Sequence, residues 1–239
     1  MNDAMYKAVS GSIAQMRRLD VATQNLANLK TPGFKGQHLA FGEVLAAAAD
    51  PAGRAGGLVS IAEQRTDFSQ GELQHTGNDF DLAIDGAGFF VVGGRFGPRY
   101  TRQGTFTLSS DGTMMNSFGE PVLGEGGEPI RVTGRKIEVS PEGVVRSEEG
   151  EMGRLRVVHF ADNRALAKES RGLYRAPDGA AESAADYRIL QGSVEQSNVN
   201  PVEAMVALIT LHRQFEAYGK VMQMMDGATA RMLSEGARL

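Results

Sequence analysis

Residues 200–232 read NPVEAMVALITLHRQFEAYGKVMQMMDGATARM. Large apolar side chains recur here at alternating steps of four and three, the spacing of a helix face that packs on another helix. Asn200 is predicted as the N-cap, Pro201 as the first helical residue and Glu203 as the capping-box residue. A helix from Pro201 to about Met232 would be roughly 48 Å long. Its predicted subunit-interface residues are Leu208, Leu211, Phe215, Tyr218, Met222 and Met225.

The amino end of the chain has the same spacing. A helix is predicted from about Asp3 to Leu29, and it ends there because Pro32 disfavours helix in the residue before it. Two terminal helices with such faces are expected to pair with each other as a coiled coil and to contact other subunits. The predicted interface residues of the first helix are Met5, Val9, Met16, Leu19 and Leu26.

Between the helices the apolar period changes to two. Phe80, Leu82 and Ile84 alternate with Asp79, Asp81 and Ala83, and Asp85-Gly86 then leads into the apolar run 89–92. This pattern predicts a β-hairpin whose aspartates, Asp81 among them, lie on a solvated face. Two similar strand, turn, strand units are predicted at 105–115 and 137–145. Together they indicate a mostly antiparallel β domain.

The predicted fold class is therefore α+β, with long terminal helices that pair as a coiled coil around a central β domain. The expected segments are an N-terminal helix over 1–30, an extended connector over 31–75, a β-rich domain over 76–192 and a C-terminal helix over 193–239. A short helical piece is expected within the connector, at 41–49.

Composition excludes several classes of partner. The 239 residues carry a formal charge of −4, which gives no basic field for nucleic acid. Nothing approaches the roughly 20 consecutive apolar residues of a membrane helix, so the chain is not expected to be membrane-inserted. The amino end lacks the apolar stretch and cleavage site of a signal peptide. Cysteine is absent, which removes disulfides and thiolate sites.

Motifs for catalysis or metal binding are not found. The four histidines lie far apart, and the aspartates from Asp79 to Asp85 miss the calcium-loop pattern because Ala83 occupies its fifth position. Asp81 and Asp111 could be nominated as a glycosidase pair, but nothing in the sequence places them together. We therefore predict no enzyme activity, no catalytic residues, no metal, no cofactor and no small-molecule substrate.

Several ordered motifs resemble the flagellar rod and hook proteins. The first is an N-terminal signature, and others lie at 76–90, 100–106 and 197–221. The opening Met1–Tyr6 and the short length are most similar to proximal rod proteins of that family, and distal rod proteins are the alternative. The residues of the N-terminal signature are Asn25, Leu26, Ala27, Asn28, Thr31, Pro32, Gly33, Phe34 and Lys35.

The resemblance implies a structural axial part of the flagellar basal body. Such proteins pass through the flagellar export apparatus without a cleaved signal, and assemble with other rod proteins into a helical structure that crosses the periplasm and transmits torque to the hook. Within the signature, Gly33 is expected to allow a sharp exit from the helix and Phe34 to anchor the connector onto the helices.

Two other classes of function stay open from the residues alone. A soluble binding module would use its helices to form a closed oligomer, while a carbohydrate-active enzyme would need two convergent carboxylates in a cleft. A discrete oligomer in light scattering would favour the former.

Overall fold

The computed structural model describes residues 2–44, 58–94, 96–134, 136–177, 179–184 and 186–236. Some side chains within these ranges, including those of Met5 and Met225, lie outside the described part. The chain forms two compact units. The helical unit comprises Met1–Ala27, Gln37–Arg65 and Asn200–Leu239, and the β unit comprises Asn28–Gly36 and Thr66–Val199.

The helical unit contains both long helices, α1 (Asn2–Ala27) and α2 (Pro201–Gly236). The start of α2 is as predicted, because the Asn200 Oδ1 accepts hydrogen bonds from the backbone N–H of Val202 and of Glu203, at 3.0 and 3.4 Å. Two strands, β1 (Gln37–Val44) and β2 (Leu58–Thr66), form a separate two-stranded sheet in this part of the chain. The helical piece predicted at 41–49 is wrong over 41–44, and 45–49 lie outside the described residues.

The predicted coiled-coil pairing of α1 and α2 is wrong. Met16, on the predicted face of α1, is 49% exposed, whereas Ala14, Gln15 and Ala22 are buried. The contact face of α1 thus lies about one residue, or about 100°, away from the stripe of large apolar side chains. Small and polar residues make the contact, so it is not the knobs-into-holes packing of a leucine-rich coiled coil.

The contacts between α1 and α2 show this directly. The Gln15 amide donates to the Gln214 side-chain oxygen, and a methyl group at Gly11 would lie 3.3 Å from the Tyr218 ring. Apolar periodicity located both helices, but it did not locate the face of α1 that touches α2.

The β unit is built from short strands. The strands of its first half are β3 (Leu73–His75), β4 (Leu82–Gly86), β5 (Phe89–Gly94), β6 (Gly97–Thr101), β7 (Phe106–Leu108) and β8 (Met114–Asn116). Those of its second half are β9 (Ile137–Val139), β10 (Val144–Ser147), β11 (Gly150–Arg154), β12 (Val157–Phe160), β13 (Ala167–Lys168), β14 (Leu173–Arg175), β15 (Glu182–Ala184), β16 (Tyr187–Gln191) and β17 (Ser193–Glu195). Two 3₁₀ turns lie at Asn163–Ala165 and Ser170–Gly172.

The central sheet has six strands in the order β13-β14-β6-β5-β12-β15, and each of its pairings is antiparallel. Its middle strand β5 is buried on both faces. Phe90 and Val92 belong to one apolar cluster, and Phe89 and Val91 belong to another. This double burial explains the unbroken run of four apolar residues in β5.

The antiparallel strand pairs β7-β8 and β9-β10 confirm two of the three predicted hairpins. The hairpin predicted across Asp85-Gly86 is wrong, because β4 pairs with β16, and β5 pairs with β6 and β12. Leu82, Ala83 and Ile84 are all buried, so both faces of β4 are covered over these three residues, and Asp85 is the exposed residue of the strand. Asp81, predicted to be solvated, is 7% exposed.

Candidate functional site

Two segments far apart in sequence meet within the β unit, and most of the N-terminal signature lies there. The backbone N–H of Gly33 donates to the Glu195 carbonyl at 2.7 Å, and the Asn198 N–H donates to the Phe34 carbonyl at 3.4 Å. The Gly36 N–H donates to the Asn198 Oδ1 at 2.8 Å. We call residues 33–36 and 195–198 the junction. It brings the end of the segment Asn28–Gly36 beside the end of the segment Thr66–Val199.

The Asn198 side chain also ties the junction to the segment that follows β2. Its Nδ2 donates to the Asp67 carbonyl at 2.9 Å and to the Ser69 hydroxyl at 3.0 Å. The Asn198 side chain therefore links three stretches of chain, because a side-chain amide has two N–H donors and one oxygen acceptor.

A buried ion cluster lies beneath the junction. The Lys35 ammonium donates to the Glu195 Oε1 at 2.5 Å, and the Arg102 Nη1 donates to the Glu195 Oε2 at 3.3 Å. The side chains of Lys35 and Glu195 are fully buried, and that of Arg102 is 6% exposed. Two cations share one carboxylate, so Glu195 is the residue on which the charge balance of this cluster depends.

Backbone groups complete the cluster. Lys35 also donates to the Ser69 carbonyl at 2.6 Å, and the Arg102 Nη2 donates to the Gly86 carbonyl at 2.8 Å. The Gly71 N–H donates to the Glu195 Oε1 at 2.9 Å. Burial is the main influence on the charged groups: it lowers the pKa of Lys35 and of Arg102, and the Glu195 carboxylate opposes both shifts.

Gly33 must be glycine at this place. Its φ is +67°, and a methyl group there would lie 2.4 Å from backbone atoms of both Arg102 and Gln103. Only a residue without a Cβ permits this approach of the signature to the segment after β6.

Phe34 is buried against the β unit. The Lys168 ammonium lies 4.1 Å from the centroid of its ring and donates to the Lys35 carbonyl at 3.3 Å. Burial lowers the pKa of Lys168 to about 8. The partner found for Phe34 is thus a lysine of β13, whereas the sequence suggested the helices as its anchor.

The remaining signature residues shape the end of α1 and the turn after it. In the helical unit, the Asn25 side chain donates to the Gln37 carbonyl at 2.8 Å and accepts from the Gln37 N–H at 3.0 Å. In the β unit, the Thr31 hydroxyl donates to the Asn28 Oδ1 at 3.1 Å. Leu26 is half-buried, Ala27 is exposed and Pro32 is half-buried.

The predicted interface residues differ in exposure within the chain. On α1, Val9 is 38% exposed, whereas Leu19 and Leu26 are half-buried. On α2, Tyr218 is 40% exposed, and the half-buried predicted residues are Leu208, Leu211, Phe215 and Met222. The most exposed apolar side chains of α2 lie on the opposite face of the helix and include Val202, Met205, Val206, Ile209 and Met224.

Sequence reasoning missed the roles of Arg102 and Glu195. Arg102 stands in one of the quoted motifs, and Glu195 lies just before another. A lysine inside the otherwise apolar and glycine-containing stretch 32–36 was the available signal, since a buried lysine requires a partner. Nothing local indicated that the partner lies 160 residues away.

The described residues offer no assembled metal site or membrane span. Among them, no three histidine, aspartate or glutamate side chains come together to hold a metal ion. Neither helix, over its described residues, combines the length and apolar character needed to cross a bilayer.

Three family models match this chain. Residues 5–35 match the flagella basal body rod protein model, residues 83–147 match the flagellar hook protein FlgE/F/G D1 domain, and residues 190–235 match the flagellar basal body rod FlgEFG protein C-terminal model. The junction draws on the first and third of these matches, and Arg102 lies in the second.

Similar proteins cover nearly the whole chain. The flagellar basal-body rod protein FlgF of Caulobacter vibrioides is 36% identical over 230 residues, 93% of each chain. The protein of the same name from Salmonella typhimurium is 33% identical over 95% of each chain. The flagellar basal-body rod protein FlgG of Borreliella burgdorferi is 29% identical over 95% of this chain and 96% of its own.

Proposed function

We propose that this chain, which belongs to the family of flagellar basal-body rod proteins, is a proximal rod subunit that joins other rod proteins through its terminal helices. It is a structural component of the flagellar basal body. Four relatives between 30% and 36% identical carry the name FlgF, which supports the proximal position over the distal one.

The observation that supports assembly through the helices is the exposed apolar face of α2. Val202, Met205, Val206 and Ile209 are each more than half exposed. Adjacent apolar side chains on one helix face expose more apolar surface than scattered single residues do, and such patches mark contacts with partners. Val9 and Met16 add an exposed apolar edge on α1.

The predicted interface set remains part of this proposal. Val9, Met16 and Tyr218 are exposed enough to meet a neighbour directly, while Leu208, Leu211, Phe215 and Met222 have a half-buried surface that a neighbour would complete. The proposal also includes export by the flagellar apparatus without a cleaved signal, a periplasmic position, transmission of torque and a role without catalysis.

Substitution of Ile209 tests the helix contact. Ile209→Asp places a charge on the exposed apolar face, where burial of an unpaired carboxylate by a partner is costly. In a strain that lacks the gene, this variant should be exported but absent from isolated basal bodies, and motility should be lost. Ile209→Leu is the matched control, because it changes the same side chain but keeps it apolar. Normal incorporation of Ile209→Asp would contradict the proposal.

The position in the rod requires a separate measurement. Cryo-electron microscopy of basal bodies that carry a tagged chain should show the tag on the proximal part of the rod. Density on the distal part would replace the proximal assignment with the distal one.

A further inference from the structure

Two polar groups beside the ion cluster are buried without a partner. The Tyr174 hydroxyl and the Arg102 Nε have almost no contact with solvent, and neither has a hydrogen-bond partner within the described part of the chain. Tyr174 is fully buried, and the Arg102 side chain is 6% exposed. Burial of an unpartnered polar group is costly, and in native proteins an ordered water molecule or an ion satisfies such groups.

The strand register places these two groups on one face of the six-stranded sheet. Tyr174 of β14 pairs with Tyr100 of β6, and Arg102 lies two residues after Tyr100, so Tyr174 and Arg102 are diagonal neighbours. The centroid of the Phe89 ring lies 5.4 Å from the Arg102 guanidinium carbon and 5.9 Å from the centroid of the Tyr174 ring. Phe68 also contacts the Tyr174 ring, with the centroids 5.0 Å apart. Both donors therefore lie within one aromatic enclosure.

The charge of the ion cluster is not balanced. Lys35 and Arg102 carry two positive charges against the single negative charge of Glu195, and among the ion pairs of the described residues neither cation has a second carboxylate. Asp67 also acts on the Lys35 ammonium, but Asp67 is exposed. Lys168 donates to the Lys35 carbonyl and adds a further positive charge nearby. The buried region thus has an excess of positive charge, which favours an anion.

The unpartnered groups both require a hydrogen-bond acceptor. An arginine Nε can only donate, and burial raises the pKa of Tyr174, so its hydroxyl stays protonated and can donate as well. The Glu195 carboxylate is already occupied, since its Oε1 accepts from Lys35 and Gly71 and its Oε2 accepts from the Arg102 Nη1. A water molecule would accept both hydrogen bonds but leave the charge unbalanced. A small monovalent anion would do both.

We propose that the β unit binds one chloride ion between the Arg102 Nε and the Tyr174 hydroxyl. The ion gives the buried cluster two anions for its two cations. Because the unfolded chain does not hold the two donors together, chloride binds the folded β unit and stabilises it. This site goes beyond the proposed function, since it lies within one subunit and does not depend on the position of that subunit in the rod.

Thermal unfolding of the purified full chain tests for the ion. Chloride replaces gluconate at constant ionic strength, because gluconate is too large for an enclosed site. The midpoint temperature should increase by about 3–5 °C for each tenfold rise in chloride concentration once the site is filled. A logarithmic dependence is the mark of a bound ligand. A linear dependence, or none, would overturn the proposal.

Tyr174→Phe removes one of the two donors and keeps the aromatic ring. Its apparent affinity for chloride should decrease about tenfold or more, because a hydrogen bond to the charged ion is lost. In gluconate alone this variant should be at least as stable as the natural chain, since an unpartnered buried hydroxyl is removed. Tyr187→Phe is the matched control: it removes the hydroxyl that donates to the Glu142 carbonyl elsewhere in the β unit and should keep the full chloride dependence. Equal chloride dependence in both variants would contradict the site.

Lys35→Met tests the charge balance without removing either donor. The cluster then has one cation and one anion, so chloride should bind about tenfold more weakly or not at all. Chloride dependence equal to that of the natural chain would contradict the charge balance on which the proposal rests.

Crystals grown in sodium bromide locate the ion, because bromide replaces chloride and scatters anomalously. One anomalous peak should contact both the Arg102 Nε and the Tyr174 hydroxyl. Peaks on surface residues only would overturn the site, and density between the two donors without an anomalous signal would identify a water molecule in place of the anion. These measurements use the isolated subunit, so their failure leaves the proposed function intact, and absence of the chain from basal bodies would refute that function without affecting the chloride site.

Discussion

Glu195 lies 160 positions after Lys35, yet its carboxylate accepts a hydrogen bond from the Lys35 ammonium, and both side chains are fully buried. Arg102, from the middle of the sequence, pairs with the other oxygen of the same carboxylate. Three stretches of chain that include recognisable family motifs thus meet at one anion. Burial of charge is costly unless it is paired, so each stretch requires the others for the β unit to be stable.

Removal of the shared anion should lower the free energy of unfolding far more than removal of one cation. Glu195→Gln leaves Lys35 and Arg102 as two buried cations without a counter-charge, and we expect a loss of about 3–5 kcal/mol in unfolding free energy. Lys35→Met leaves one cation with one anion, and the expected loss is about 1–3 kcal/mol. Urea unfolding of both purified variants measures the difference. Equal losses would show that the three charges do not act as one cluster.

Gly33→Ala should destabilise the β unit although alanine is small. The added methyl would meet backbone atoms at 2.4 Å, and the φ of +67° disfavours any L side chain. Gly77→Ala is the control, because Gly77 also has a positive φ of 75° but has no atom within 4 Å of the added methyl. The midpoint temperature of thermal unfolding should decrease clearly more for Gly33→Ala than for Gly77→Ala. An equal decrease for both variants would mean that the positive φ, and not the close backbone contact at residue 33, determines the loss of stability.

Lys168 should make stability increase with pH. Its pKa is about 8 in the folded chain and near 10.5 when unfolded, so between these values the unfolded chain binds more protons. Unfolding free energy should therefore rise from pH 8 to pH 10.5 through this group, and below pH 8 the full cost of its charge is present. The pKa of Lys35 is also lowered, so Lys35 contributes to the same rise. Comparison with Lys168→Met separates the contribution of Lys168. The rise should be smaller in that variant, and an identical rise would exclude Lys168 as its source.

The contact between α1 and α2 should be sensitive to the size of residue 11. Gly11→Leu forces a side chain against the Tyr218 ring and should cost about 1–3 kcal/mol. Gly219→Ala, with no atom within 4 Å of the added methyl, should instead stabilise α2 by up to about 1 kcal/mol. Helix melting followed by circular dichroism distinguishes the two. Stabilisation by both variants would show that the helices do not touch at Gly11 in solution.

Local chemistry made some features predictable from the sequence. Asn200, Pro201 and Glu203 predicted the start of α2 because a helix cap uses neighbours in sequence. The turns at Asp111-Gly112 and Glu142-Gly143 predicted two hairpins for the same reason.

Features set by distant residues could not be predicted. The partner of β4 is β16, about a hundred residues later, and the face of α1 that touches α2 is lined by alanine, glycine and glutamine. Neither the strand pairing of β4 nor the contact face of α1 is marked by a periodic pattern of apolar residues. The ion cluster is of the same kind, because its three members share no local pattern and only the folded β unit brings them together.

The junction has a consequence for how members of such a family can diverge. Residues 33–36 and 195–198 are hydrogen-bonded neighbours, and the Asp67 N–H donates to the Gly36 carbonyl at 2.8 Å, so three of the four segment ends of the β unit lie at one place. Loops between residues 67 and 195 can be lengthened, shortened or exchanged without a change in the spacing of these ends. The surface of the β unit can therefore vary while the geometry of its attachment to the remainder of the chain stays the same.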